Sequence, residues 1–223
     1  MLSFAEENYL KIIYLLSKDG DKSVATNAIA EALKTKPASV SDMIRKLADK
    51  NVITYIKYQG VNITPEGRQE ALLIIRKHRI WEVFLCRTLR FNWDEVHDVA
   101  EQLEHIKSKL LIDRLDEFLD FPRFDPHGDP IPDKDGNMLN VPKKPLAALE
   151  AGATGTIAGV ENTSSPFLKY LDKIGASIGS EIAVLDKIEF DGSMEIRLDD
   201  KSNVFVSNEV AKNILVAEYN EGE

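Results

Sequence analysis

A chain of 223 residues, 43% hydrophobic and 29% charged, has room for one large domain or two to three small ones, each with a modest core. Its formal charge of −9 is uneven: residues 1–70 carry 10 basic against 9 acidic side chains, residues 71–145 carry 12 against 14, and residues 146–223 carry 6 against 14, so only the first third escapes the acidity that disfavours phosphate. One cysteine, Cys86, excludes an internal disulfide or a multi-cysteine metal site, and the lack of a leader pattern or a membrane-length apolar run makes the cytoplasm, with no membrane partner, the expected location.

In chain order, Glu6 to Leu16 shows helical periodicity with Tyr9, Ile12, Ile13 and Leu16 on one face, and Asp19-Gly20-Asp21 ends it. Thr26 is placed to cap a short helix through Leu33. Pro37 suits the first turn of another helix, Ala38 to Asp49, which buries Val40, Ile44 and Leu47. Two short helices about a tight turn, with small hydroxyl and basic residues outside, make a helix-turn-helix. Val52 to Ile63 then reads as two strands about Gln59-Gly60, a wing. In such a module Ser39 and Ser41 reach base edges or phosphates, while Lys36, Arg45, Lys46 and Lys57 supply backbone contacts. Asp42 opposes phosphate on the same helix unless it accepts from a cytosine amino group or pairs with a neighbouring base.

The middle offers three helices, Arg68 to Leu89, Asp94 to Ile106 and Ser108 to Leu119. The first carries His78 and Glu82 at i and i+4, a spacing at which two side chains can grip one ion. In the second, steps of about 100° put His97, Glu101, Glu104 and His105 within roughly a third of the circumference. Imidazoles and carboxylates without thiolate suit a divalent first-row ion such as Mn, Fe, Co or Zn. A solvated polar face is the bland alternative. Against it, all 4 histidines, including His127 in Asp125-Pro126-His127-Gly128-Asp129, lie beside carboxylates. Packing on helix one would bring Glu7 and Asn8 toward Glu101, Glu104 and His105. The surplus apolar surface of Ile80, Trp81 and Phe84 suits a homodimer, which also matches paired DNA half-sites.

Three blocks, Arg76 to Leu85, Val96 to His105 and Phe121 to Pro132, resemble the signature segments of the diphtheria-toxin-repressor family of metal-activated transcription repressors, in the right order and spacing. The resemblance implies a primary metal site of Asn8, Glu101, Glu104 and His105. It implies an ancillary site of Glu82 with either His78 and His97 or Asp125 and His127. Glutamate at 101, where iron-responsive relatives have cysteine, resembles the manganese-responsive branch, and carboxylate suits the harder Mn(II), although Fe(II), Co(II) or Zn(II) can bind in vitro. Asn8 stands where manganese-type members commonly have aspartate, with Glu7 as a substitute, and Lys11 stands where one subgroup has a glutamate bridging two ions. The implied mechanism is a population shift in which an ion joining helix one to the sensing helix fixes the recognition helices on DNA.

After a Gly/Pro/Asp-rich run, Lys143-Lys144-Pro145 reads as a linker. Segments 153–160, 181–189, 193–198, 203–206 and 214–217 have strand character, with Asp191-Gly192 as a turn and Phe167 to Ile174 as a helix. Five short strands suggest a small barrel that resembles the SH3-like domain of long family members, with Glu161 as its candidate ancillary ligand. The expected architecture is a mainly α N-terminal two thirds, with a winged helix-turn-helix over 1–70 and a helical metal-binding and dimerisation domain over 71–142, followed by an all-β SH3-like barrel over 146–219. The expected function is Mn(II)-dependent repression at palindromic double-stranded operator DNA in metal-ion homeostasis, with no small-molecule substrate. An Fe(II)-responsive repressor of the same build is the alternative. A metal-dependent hydrolase is remote, since the chain has no HExxH motif or nucleophile elbow.

Overall fold

The computed structural model describes residues 2–56 and 59–218. The chain forms two compact units, one of Met1–Trp81, Ala100–Phe118 and Ile131–Met138, the other of Glu82–Val99, Leu119–Pro130 and Leu139–Glu223.

In the first unit, α1 spans Phe4–Leu16 and begins two residues before the periodic pattern implies, because Ser3 and Glu6 form a reciprocal capping box. Helix α2 spans Thr26–Ala32, with Ala25 rather than Thr26 at the N-cap; the backbone carbonyl of Ala25 takes the first bonds from Ala28 and Ile29, and no side chain caps the helix. Helix α3 spans Pro37–Asp49, its proline in the first turn where the missing N–H costs nothing. Strands β1 (Ile53–Ile56) and β2 (Gly60–Ile63) pair antiparallel with Ile53 opposite Ile63, which forms the wing. The Thr64 hydroxyl accepts from the Gly67 N–H at 3.0 Å and donates to the Asn51 carbonyl at 2.8 Å, anchoring the start of α4, Pro65–Arg87. Leu10, Ile13 and Tyr14 of α1 meet Ile29, Val40, Ile44, Leu47, Val61, Leu72 and Ile75 in one core.

Helix α5 spans Val96–Leu103 and α6 spans Lys109–Phe118. Helix α5 stops short of Ile106, so Glu104 and His105 lie in the turn beyond it, although the Glu104 N–H still donates to Ala100 at 2.8 Å. Arg76 of α4 ties the first unit together, donating to the Asp116 carboxylate of α6 and, at 2.7 Å, to the Pro132 carbonyl.

The second unit holds a six-stranded antiparallel sheet in the order β3-β8-β4-β5-β6-β7. Its strands are β3 (Lys144–Pro145), β4 (Thr154–Val160), β5 (Glu181–Lys187), β6 (Met194–Leu198), β7 (Ser202–Val206) and β8 (Ile214–Glu218). Lys144-Pro145 is therefore a strand rather than a linker, paired with Leu215 and Val216 of β8. Helix α7 (Ser165–Ile174) packs Leu168 and Leu171 with Ile157, Val184, Ile196 and Val216. A further helix, α8 (Asn208–Asn213), capped by the Ser207 hydroxyl, was too short for its period to register in the sequence. Among the described residues, no helix is long and apolar enough to cross a membrane.

Candidate metal centres

The four side chains expected to share one face of the second sensing helix divide between two places, and Glu104 and His105 lie beyond the end of α5. His97 puts its Nδ1 3.7 Å from Glu82, whereas Glu101, Glu104 and His105 meet α1.

In the first unit, Glu104 is fully buried. Both of its oxygens accept from Lys11 Nζ, at 2.6 and 2.8 Å, and His78 Nδ1 lies 2.5 Å away. Burial opposes ionisation of Glu104, but the His78 hydrogen bond and the Lys11 charge outweigh it and hold the carboxyl below its ordinary range. Glu101, with a half-exposed side chain, lies 3.5 Å from the same ammonium. His105 Nδ1 lies 2.6 Å from Glu7, and its buried Nε2 has no hydrogen-bond partner. Donation from Nδ1–H to Glu7 leaves the lone pair on Nε2, 3.6 Å from a Glu104 oxygen, and a carboxylate behind the ring in this way orients many metal-ligating histidines. Glu7 thus meets His105, while Asn8, one residue on, is half-buried in α1. Burial lowers the pKa of nearby Lys77, and the charges of Glu7, Glu104 and Glu70 oppose that shift.

In the second unit, Glu82, Asp125 and His127 are all buried, and each offers one ligand atom within 4.8 Å of the others. Helix α4 supplies Glu82, and a turn supplies the rest. Asp125 Oδ1 accepts from the His127 N–H at 2.8 Å and the Asp129 N–H at 3.0 Å, an Asx turn that rigidifies the loop. His127 Nε2 donates to the Trp93 carbonyl at 2.8 Å, so the Nδ1 lone pair faces Glu82, 3.9 Å away. Two buried carboxylates and an oriented imidazole fit a divalent ion of borderline hardness. Burial, then the charges of Glu82 and Asp125, push the Cys86 thiol up to about 11, so it stays protonated. Glu161 is exposed just past Val160, whose N–H donates to the His127 carbonyl, and it is not part of this group.

Lys36, at the N-cap of α3, and Ser39, Arg45 and Lys46 on it are exposed. Ser41 is exposed too, its hydroxyl donating back to the Pro37 carbonyl. Arg45 pairs with Asp42 at 2.9 Å, which offsets the charge that would oppose phosphate. Lys57 lies outside the described residues. Sequence reasoning missed the pairing of Lys11 with Glu104 and the Trp93 carbonyl behind His127; the second had no signal, since any residue can offer a carbonyl.

Residues 1–61 match the description "Iron dependent repressor, N-terminal DNA binding domain", residues 64–133 match "Iron dependent repressor, metal binding and dimerisation domain", and residues 144–218 match "FeoA domain". The HTH-type transcriptional regulator MntR of Bacillus pumilus is 32% identical over 115 residues, covering 52% of this chain and 78% of that protein. The chain belongs to the iron-dependent repressor family. This family of metal-dependent transcriptional repressors also includes the diphtheria toxin repressor of Corynebacterium efficiens, 27% identical over 209 residues and covering 87% of this chain and 90% of that protein. A solved structure described as a manganese-dependent transcriptional repressor in complex with manganese superposes with a TM-score of 0.85 at 37% identity, covering 96% of this chain and 100% of that one. The chain is thus a metal-dependent, DNA-binding transcriptional repressor with a winged helix-turn-helix, a helical domain and an SH3-like C-terminal domain. Its homologues regulate transcription and are not enzymes.

Proposed function

We propose that this repressor is a manganese-responsive homodimer that acts in the cytoplasm on palindromic double-stranded operator DNA of metal-homeostasis genes. The observation that carries the reading is the buried group of Glu82, Asp125 and His127, whose all-nitrogen-and-oxygen donor set and pre-oriented imidazole suit Mn(II). Glu101, Glu104 and His105, with Asn8 or Glu7 from α1, form a second donor set, supported by His105 Nε2, which lies 3.6 Å from Glu104 and has no hydrogen-bond partner among the described residues. A bound divalent ion supplies two positive charges among carboxylates that otherwise repel one another.

The residues themselves do the rest. Trp93 and Asp125 hold His127 in one orientation, and Glu7 does the same for His105. Lys36, Lys46 and Lys57 contact phosphate with Arg45, and Ser39 and Ser41 face the bases. The three-part division into 1–70, 71–142 and 146–219 goes with this assignment and is supported by the three consecutive family matches.

The test is selection of genomic DNA fragments on purified protein with chelator, with Mn(II) and with anaerobic Fe(II). Enrichment of a palindrome by Mn(II) alone is expected. Enrichment by Fe(II) alone would move the protein to the iron-responsive branch, and equal enrichment with chelator would remove metal from the switch.

A further inference from the structure

His127 is aimed by a residue that is itself held from elsewhere in the second unit. Trp93 and Asp94 lie in the turn before α5. The Trp93 carbonyl accepts from His127 Nε2 at 2.8 Å, and its indole lies nearly parallel to the imidazole, with ring centroids 6.1 Å apart. The other edge of the indole donates its N–H to Asp172 at 3.1 Å, and the ring packs against the core of the sheet. Next to it, the buried Asp94 carboxylate accepts from the Ser165 hydroxyl at 2.6 Å and lies 3.2 Å from the Lys169 ammonium. Ser165, Lys169 and Asp172 are spaced i, i+4 and i+7 on α7, so they share one face, while Leu168 and Leu171 on the adjoining side anchor the helix in the core. Three side chains of one helix therefore grip two consecutive residues of the turn that supports a candidate metal ligand.

We propose that α7 is the positioning element of the Glu82–Asp125–His127 centre. Asp172 fixes the Trp93 indole, and Ser165 with Lys169 fixes Asp94, so the Trp93 carbonyl stays where it keeps the His127 proton on Nε2 and the Nδ1 lone pair toward Glu82. An imidazole released from that carbonyl exchanges its proton between the two nitrogens, and the tautomer protonated on Nδ1 has no lone pair on the side facing Glu82. The C-terminal domain thereby sets the affinity for the ion by supporting a ligand, with Trp93 and Asp172 as positioning residues. The inference rests on the metal-responsive reading above.

Two measurements on the full-length protein test it. Nitrogen NMR of the His127 ring in the metal-free protein reads the tautomer. Mn(II) titration, with free Mn(II) read by electron paramagnetic resonance, reads the affinity, and the phase lost in His127→Gln is that of this centre. Asp172→Ala, at an exposed position, and Trp93→Phe, which keeps a ring and loses the N–H, should each move part of His127 to the Nδ1-protonated tautomer. Each should also weaken that phase about tenfold, the lower end of the range for outer-shell partners. The double variant should be no weaker than either single one, because both remove the same bond. Asp172→Asn, whose amide oxygen can still accept the indole N–H, should restore the affinity to within about twofold of wild type. A merely structural loosening would add up in the double variant and leave the tautomer alone. An unchanged tautomer or an unchanged affinity in both single variants, or full additivity in the double one, would overturn the role given to α7. A wild type that binds no Mn(II), or a His127→Gln variant that loses no phase, would instead overturn the metal-responsive reading.

Discussion

Gly128→Ala should damage the second-unit metal centre without touching any ligand. Gly128 has φ of +85°, and a Cβ there would lie 2.3 Å from the Ala158 carbonyl oxygen and 2.7 Å from Gly159 Cα, both backbone atoms of β4. Left-handed geometry costs an alanine about 1–2 kcal/mol. Forcing the turn off the strand costs about 1–3 kcal/mol more, and the bond from Val160 N–H to the His127 carbonyl, worth about 1 kcal/mol, goes with it. The stiffer unfolded chain returns about 0.4–1 kcal/mol. A net loss of about 2–6 kcal/mol corresponds to a melting temperature lower by roughly 4–24 °C. Because the same turn aims His127, Mn(II) affinity should fall roughly 10–100-fold, the range for disturbed outer-shell support. Thermal unfolding and Mn(II) titration check both figures. A melting temperature within about 2 °C of wild type together with unchanged affinity would refute the reasoning.

Arg76→Met leaves the buried Asp116 carboxylate without its partner and should cost about 3–5 kcal/mol in urea unfolding, most of it recovered in Arg76→Met/Asp116→Leu. The Lys50 ammonium, then the Ser3 backbone N–H, holds the Glu6 carboxyl down at about 2, below an unfolded value of about 4.3. The stability this contributes is complete above that unfolded value and is lost as pH falls toward 2, so Glu6→Gln should lose less stability than wild type between pH 6 and pH 3, about the range of the acid limb; equal losses would contradict it. If exposed Lys46 neutralises a phosphate, Lys46→Ala should lower the slope of log affinity against log salt by about 1 and weaken all DNA sequences alike, as read by binding at several salt concentrations.

Much of this was legible because side-chain period reports burial. The apolar set Val40, Ile44 and Leu47 in α3 is buried in the core of the structure. Boundaries were harder. The capping box at Ser3 and the early end of α5 are decided by one or two hydrogen bonds, and helical period could not show that His97 meets Glu82 while Glu104 meets α1. Spacing within a helix could pair His78 with Glu82, but it could not reveal that His78 Nδ1 bonds Glu104, 26 positions away. Lys11 was visible as a departure from the family pattern. That its ammonium pairs with both Glu104 oxygens required the fold. Strand β3, two residues containing a proline, carries too little pattern to separate from a linker.

Lys144 and Pro145 of β3 sit directly opposite Val216 and Leu215 of β8. The C-terminal segment therefore starts and finishes at one spot, like a loop of rope whose two ends are held in the same hand. Joining those two ends would take only a short peptide, since the connection would not have to cross the sheet.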